Sequence, residues 1–371
     1  MSDWMGAAEK EMVSSITTPR TASVGACPLC GSTAGSFMYL LPDRLHGVPG
    51  EFSYRRCHNC GTVFQDPRVI TEDLSLCYPD EYFTHQSQDV SSTRIATTSA
   101  PPTDLRLRAR LRLAVMAAVR HARTRGAIGW LGRLLSKSRR LRERAFYGLA
   151  PDEMLPFKPG AARALEVGCG AGRLLKALDQ VGWQVEGFEV DEKAAEIARR
   201  TSGRQVTVGD FQKADLPLAA YDLVVLNHVI EHLPDTRGCL RKIADILAPG
   251  GRAVLVYPNI RSLGARIFRE DWLHWDPPRH LILPPVMAFR NAAAGAGMVT
   301  AGLKSSARYA AGFTACSRRY RKCEPLNPYT VSITLQDRLF SLCERALMAV
   351  GFKLGEELVI VLEKPPEVVS L

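Results

Sequence analysis

Residues 162–182 read ARALEVGCGAGRLLKALDQVG. A short apolar run, ARALEVG, meets three glycines at alternate positions, Gly168, Gly170 and Gly172, and then a segment with leucines at helical spacing. That order predicts a buried strand, a tight turn and a helix closed by Gly182. Glycine accepts left-handed backbone and lets a ligand approach the main chain where strand passes to helix.

Outward from this stretch the same alternation repeats. WQVEGFEV (183–190) reads as a second strand and DEKAAEIARRTSG (191–203) as its helix. RQVTVGD (204–210) is a third strand and YDLVVLN (221–227) a fourth. TRGCLRKIADILAPGG (236–251) reads as a helix ending at Pro249, and RAVLVYP (252–258) as a fifth strand. MVTAGLKSS (298–306) and ELVIVLEK (357–364) supply two more strands, and residues 284–297 a helix. Strands alternating with helices predict an α/β architecture with a doubly wound, mainly parallel sheet over residues 151–371.

Upstream the chain divides by composition. Residues 1–25 read as a disordered lead, 26–85 as a cysteine module, 86–103 as a Ser/Thr/Pro-rich linker and 104–150 as a basic helical segment. The formal net charge is +10. Residues 103–150 hold thirteen Lys or Arg against only Asp104 and Glu143, so this one segment carries the whole excess. No apolar run reaches the roughly 18 residues of a membrane span. The first residues lack the apolar core of a secretory signal, so a cytoplasmic location is expected. There the ten cysteines are expected as metal ligands and core residues rather than disulfides.

The module carries CPLCG and CHNCG, separated by 26 residues (31–56). Two Cys-x-x-Cys pairs, Cys27 with Cys30 and Cys57 with Cys60, match a closed tetrahedral site for structural zinc. Each pair is followed by glycine, as a tight turn aiming two sulfurs at one ion favours, and a small hairpin is expected to fill the gap. Four protein ligands leave no position for catalysis at that metal.

The glycine loop alone is ambiguous, since dinucleotide enzymes use a related pattern. Theirs is G-x-G-x-x-G; here Arg173 stands where the third glycine would be. Two acids narrow the choice. Glu166 precedes the loop, where it can face the positive end of a ligand. Glu189 ends the second strand, 17 residues after Gly172, and can accept from both hydroxyls of a ribose. Asp210 can reach an adenine edge, with Phe211 beside it for stacking. Cys169, Val190 and Asn227 complete the candidate cofactor-binding set.

EVGCGAG, FEVDEKAAEIAR, VTVGDF, YDLVVLNHVIEHLPD and LAPGGRAVLVYPN stand in the order and spacing of the class I S-adenosylmethionine-dependent methyltransferases, which residues 160–300 resemble. The resemblance implies a Rossmann-like sheet of seven strands whose last, ELVIVLEK, runs antiparallel. It also implies that Gly168, Gly170 and Gly172 pass under the methionine part of S-adenosylmethionine and that Glu189 holds its ribose.

His228, Glu231 and His232 follow the fourth strand in HVIEH, at the end of the sheet where ligands bind. Three readings are open. His228 or His232 is a general base for a hydroxyl acceptor. His228, Glu231 and His232 bind a divalent ion that acidifies the acceptor. Or the turn is structural. Ubiquinone-type O-methyltransferases carry a similar acidic-plus-His turn, associated with metal in some, although this chain has His228 where they have a carboxylate. Further on, Trp272, Trp275, Asp276, Arg279 and His280 fall in a Pro-broken loop expected to cover the acceptor. His280 joins the catalytic candidates. Bacterial methyltransferases with an N-terminal cysteine module, many acting on saccharides or related small molecules, resemble the chain here and around YPDEYF, so Tyr78, Asp80, Tyr82 and Phe83 are expected to close the pocket.

In the basic segment Ile128, Leu131, Leu135 and Leu141 recur near helical spacing, with Arg133, Lys137, Arg140 and Arg144 on another face. Such a helix can dock on the α/β domain, lie on an anionic membrane or meet RNA. The expected partner is a small-molecule acceptor, most simply a hydroxyl of a sugar or glycan intermediate. An RNA methyltransferase and a non-catalytic cofactor-binding assembly factor are the alternatives. The sequence is silent on oligomeric state.

Overall fold

The computed structural model describes residues 17–78, 111, 114–115, 118, 126–138, 141, 162–180, 183–324 and 331–366. The linker at 86–103, and Asp80, Tyr82 and Phe83, lie outside the described residues.

The cysteine module holds β1 (Gly35–Pro42), β2 (Glu51–Cys57) and β3 (Val63–Gln65). β1 and β2 pair antiparallel across the gap between the two cysteine pairs, forming the expected hairpin. From the basic segment, α1 (Gly126–Leu135) is described. Its Gly132 lies so close to the backbone of Ala114 that a Cβ there would sit 2.6 Å away. Leu135 and Val115 pack into the core on one face of the main sheet, so the described part of this segment is docked. Trp130 stays 61% exposed.

The main sheet begins with β4 (Arg163–Val167), followed by α2 (Arg173–Gln180), β5 (Gln184–Glu189), α3 (Glu192–Ser202), β6 (Val206–Val208), β7 (Tyr221–Asn227), α4 (Thr236–Ile246) and β8 (Leu247–Pro258). After α5 (Leu263–Phe268) come β9 (Ile282–Leu283), α6 (Val286–Gly295), β10 (Val299–Ser306), α7 (Ala310–Arg321), α8 (Leu335–Ala349) and β11 (Glu357–Glu363). The seven strands lie in the order β10-β11-β8-β7-β4-β5-β6. β11 is antiparallel to both neighbours, while β8, β7, β4, β5 and β6 pair in parallel. The order reverses between β4 and β7, which opens a crevice beyond their carboxyl ends.

Apolar side chains of β4, β7 and β8 alternate between two cores. Ala164, Leu223, Val225, Val254 and Val256 face α2 and α3. Leu165, Val224, Leu226 and Leu255 face α4 and α6. The helix expected over 236–251 stops earlier, at Ile246. Leu247 already pairs with Tyr221, and the register breaks between Leu247 and Arg252. Pro249 cannot sustain helix, so Ala248–Gly251 form an irregular strand entry instead.

The two parts of the chain share a second sheet, ordered β9-β3-β2-β1. β9 comes from the loop after α5 and pairs antiparallel with β3, Ile282 opposite Phe64 and Leu283 opposite Val63. Leu41, Tyr54 and Val63 of the module bury against Phe268, Trp272 and Trp275. The loop expected to cover the acceptor is thus anchored on the cysteine module.

Candidate functional site

The four cysteine sulfurs converge. Cys27 Sγ lies 3.7 Å from Cys60 Sγ and Cys30 Sγ 3.5 Å from Cys57 Sγ, and all four fall within 4.8 Å of one another. A zinc tetrahedron with bonds of about 2.3 Å has edges of about 3.8 Å, so the set fits. In each knuckle the glycine N–H donates to the first cysteine carbonyl, Gly31 to Cys27 at 2.9 Å and Gly61 to Cys57 at 3.0 Å. Gly31 and Gly61 have φ of +75° and +74°, where a side chain would strain the turn.

The glycine loop sits at the mouth of the crevice, with Gly168, Gly170 and Gly172 at φ of +67°, +50° and +72°. A Cβ on Gly168 would collide with Val229, and one on Gly172 would lie 2.8 Å from the backbone of Ala198. Glu189 is buried and caps the loop. Its Oε2 accepts from Gly170 N–H at 2.8 Å and its Oε1 from Val190 N–H at 2.8 Å. Burial raises its pKa, against these amide hydrogen bonds. Glu166 lies beneath, 4% exposed, and Glu189's charge adds to the burial that holds its pKa well above the usual range. Among the described residues, Glu166 Oε2 and Asn227 Oδ1 are buried without a hydrogen-bond partner. Buried polar atoms are rarely left so. Two adjacent acids and two orphaned oxygens suit a ligand bearing cationic and hydroxyl groups.

Phe211 is 4% exposed and its ring packs edge-on to Phe188, centroids 5.9 Å apart, so it is core rather than an open stacking face. The Cys169 side chain is likewise core. Val190, 74% exposed, is the apolar surface next to Glu189. Asp210 accepts from the Gln212 N–H at 2.9 Å and stays partly exposed.

Beyond β7 the chain turns sharply. His228 adopts φ of +54°, a left-handed conformation costly for a non-glycine residue. The turn places its ring between two buried carboxylates, with Nδ1 3.1 Å from Glu231 Oε1 and Nε2 2.9 Å from Glu357 Oε1. Ser306 Oγ donates to the other Glu357 oxygen at 2.9 Å. Burial lowers the His228 pKa, but the two carboxylates outweigh it and push it up to about 10. This corrects the reading of His228 as base: both nitrogens are committed to carboxylates, which favour the imidazolium.

His228→Ala leaves Glu231 and Glu357 buried without their cation. The expected loss is about 3–5 kcal/mol of stability, read as a lower urea midpoint; a midpoint matching wild type would refute it. Because the folded pKa is raised above 6.5, this contribution is complete below about pH 6.5 and is lost as pH rises through about 10.

His232 differs. Its Nδ1 is 3.0 Å from the Arg279 carbonyl and 3.2 Å from Tyr78 Oη. A carbonyl only accepts, so Nδ1 carries the proton and Nε2 the lone pair. Burial, then the neighbouring His280, lower its pKa to about 4. The His280 ring centroid is 4.7 Å away. His280 Nδ1 is tied to the His274 carbonyl at 2.8 Å, which leaves its Nε2 3.9 Å from Glu231 Oε1. Glu231, His232 and His280 offer one donor atom each within 4.8 Å, so the divalent-ion reading with His228 gives way to a set with His280. Tyr78 reaches this cluster, as expected of the module.

Glu357 and Asp43 were missed from the sequence. The available signal for Glu357 was the paired Glu356–Glu357 opening an otherwise apolar strand, since buried acids require partners. Asp43 carries no motif.

Residues 138–300 match the family model of a methyltransferase domain. A ubiquinone biosynthesis O-methyltransferase of Idiomarina loihiensis is 35% identical over 127 residues, covering 31% of this chain and 51% of that one. The chain therefore spans about half the length of that relative. An uncharacterized methyltransferase of Mycobacterium tuberculosis is 32% identical over 161 residues, covering 36% of this chain and 79% of that one. A crystal structure of an S-adenosylmethionine-dependent methyltransferase from Mesorhizobium loti aligns with a TM-score of 0.39 at 19% identity, over 57% of this chain and 94% of that one.

Proposed function

This chain belongs to the S-adenosylmethionine-dependent methyltransferases, and from that membership we propose that it methylates a hydroxyl of a small molecule. The observation that carries the reading is His232: a neutral imidazole with Nδ1 tied to a backbone carbonyl and Nε2 bare, on the turn after β7 whose Val229 lies against Gly168.

When bound, S-adenosylmethionine supplies an electrophilic methyl group on a sulfonium. The chain's own residues bind, align and deprotonate. Glu189 is placed to exchange its amide partners for ribose hydroxyls. Glu166 and Asn227 offer their orphaned oxygens to the polar end of the cofactor, and Val190 offers apolar surface to the base. Alignment of an acceptor with the S–CH₃ bond contributes up to about 7–11 kcal/mol in the best cases. His232 Nε2 then takes the hydroxyl proton. Tyr78 and the loop carrying His280 wall the site and limit water. The likeness to ubiquinone O-methyltransferases supports oxygen as the methylated atom. A sugar or glycan intermediate is the finer proposal, resting on the cysteine module's resemblance to saccharide enzymes.

Docking of Leu135 of α1 on the sheet core suits the small-molecule reading, with an RNA methyltransferase as the alternative. A peripheral membrane contact through the rest of residues 104–150 remains part of the proposal. No helix among the described residues is long and apolar enough to cross a membrane.

The test is transfer of label from methyl-labelled S-adenosylmethionine into a metabolite extract, with cofactor binding followed separately by calorimetry. Glu189→Ala is expected to weaken binding of S-adenosylhomocysteine about tenfold or more, since a hydrogen bond to a charged group is worth about 1.5–3 kcal/mol. Wild-type affinity would remove Glu189 from the cofactor site. Label transfer by neither wild type nor any loaded preparation would favour the assembly-factor alternative.

A further inference from the structure

We propose that Arg279 is a positioning residue through which the cysteine module fixes the tautomer and orientation of His232. The inference rests on the reading of His232 as base. Its evidence is a buried network that the proposed chemistry does not otherwise use.

The Arg279 side chain is fully buried. Its guanidinium forks onto Asp43 of the module, Nη1 to Oδ2 and Nη2 to Oδ1, both at 2.8 Å. Asp43 is itself rigid, since its carboxylate also accepts from the backbone N–H groups of Leu45, His46 and Val48. On the other side Arg279 Nε donates to Asp276 Oδ1 at 3.0 Å, and Nη2 to the same oxygen at 2.6 Å. Nη1 also donates to the Cys77 carbonyl at 3.1 Å.

Two of these contacts bear on His232. The carbonyl that holds Nδ1–H belongs to Arg279. The other group beside Nδ1, the Tyr78 hydroxyl, belongs to the residue after Cys77, whose carbonyl Arg279 also holds. One guanidinium therefore anchors both partners of His232 Nδ1 to the module. Release of Asp43 frees Arg279 to shift, and the imidazole can then take the opposite tautomer, with its proton on Nε2 and no lone pair toward the acceptor. Lysine cannot replace the fork, because it presents a point charge rather than a planar pair of donors.

The test uses the full chain loaded with zinc and labelled with ¹⁵N-histidine. The ring signals of His232, one of eight histidines, are those lost in His232→Gln. In wild type they should show a single neutral tautomer protonated at Nδ1. In Asp43→Asn, which keeps the shape and one oxygen to accept from the Leu45 and His46 N–H groups, they should broaden or shift toward the Nε2–H form, with zinc content and S-adenosylhomocysteine affinity unchanged. Label transfer into the extract should fall at least tenfold. In a His232→Gln background Asp43→Asn should cost nothing further, since it acts through that ring. Arg279→Lys is the second variant and should reproduce the tautomer change. An Nδ1–H signal unchanged in either folded variant overturns the proposal. So does a loss of transfer that stays additive with His232→Gln. If His232→Gln alone keeps full transfer, the base reading fails, whatever the tautomer signals show.

Discussion

Cys57→Ser is expected to empty the zinc site and abolish methyl transfer while cofactor binding survives. Cys57 is 1% exposed and opens the second knuckle, so three remaining thiolates would face a hydroxyl that binds zinc poorly. Structural zinc contributes about 10–16 kcal/mol of apparent binding energy in small zinc-dependent peptides. Whole domains are stable by only about 5–15 kcal/mol. The knuckle region is small and buries little beyond the cysteines, Leu29, Phe64 and a facing strip of β9 and α6, while Leu41, Phe52, Tyr54, Val63 and Val69 are buried elsewhere in the module. Losing the metal should therefore unfold it.

The effect should travel to the site by named contacts. β9 pairs with β3. Gln65 Nε2 donates to the His280 carbonyl at 3.1 Å, and Tyr54 Oη to the Trp275 carbonyl at 2.8 Å. These hold the loop that carries His280 and Arg279. The glycine loop depends instead on β4, β5 and α3. The expected result is zinc content near zero by elemental analysis, no label transfer, and S-adenosylhomocysteine affinity within a few-fold of wild type. Unchanged zinc in the purified variant would sink the four-cysteine assignment. Lost cofactor binding would show that the two sheets do not fail separately.

The strands of the main sheet were legible because each is a run of apolar residues closed by a turn residue. Val224 and Val225 are both fully buried, one on each face of β7. A parallel strand covered on both sides reads as continuous apolar sequence. The cysteine set was legible because spacing alone constrains a metal knuckle. What escaped was set by tertiary contact. β9 is two residues long within LILPP, too short for any periodicity, and it exists because β3 offers an edge. Phe211 reads the same in sequence whether it stacks on a ligand or on Phe188. His228 looked like a base because it follows the fourth strand at the end of the sheet where ligands bind. Its second carboxylate arrives from Glu357, 129 residues away. The charge state of the ring is decided there, by a partner that no local pattern announces.

His232→Gln should leave cofactor binding intact and lower label transfer by about 10²–10⁴-fold, the usual worth of a general base. Glutamine can still donate to the Arg279 carbonyl and fill much of the volume. It offers no basic nitrogen, so a loss in rate reports proton removal more than packing. Burial and His280 hold His232 near 4, which fixes the form of the pH dependence. The base must be unprotonated, so transfer should be flat through neutrality and fall only as pH drops toward about 4–5. A free histidine would put that limb near 6.5. The low value also weakens the base, and alignment must compensate, which is consistent with two hydrogen-bonding groups being spent on Nδ1. His228 cannot replace it, because its proton leaves only near pH 10 and both its nitrogens face carboxylates. Transfer in His232→Gln equal to wild type, or an acid limb near 6.5 in the wild-type profile, would remove His232 from the proton path and leave its place beside Glu231 and His280 as that of a metal donor or a wall.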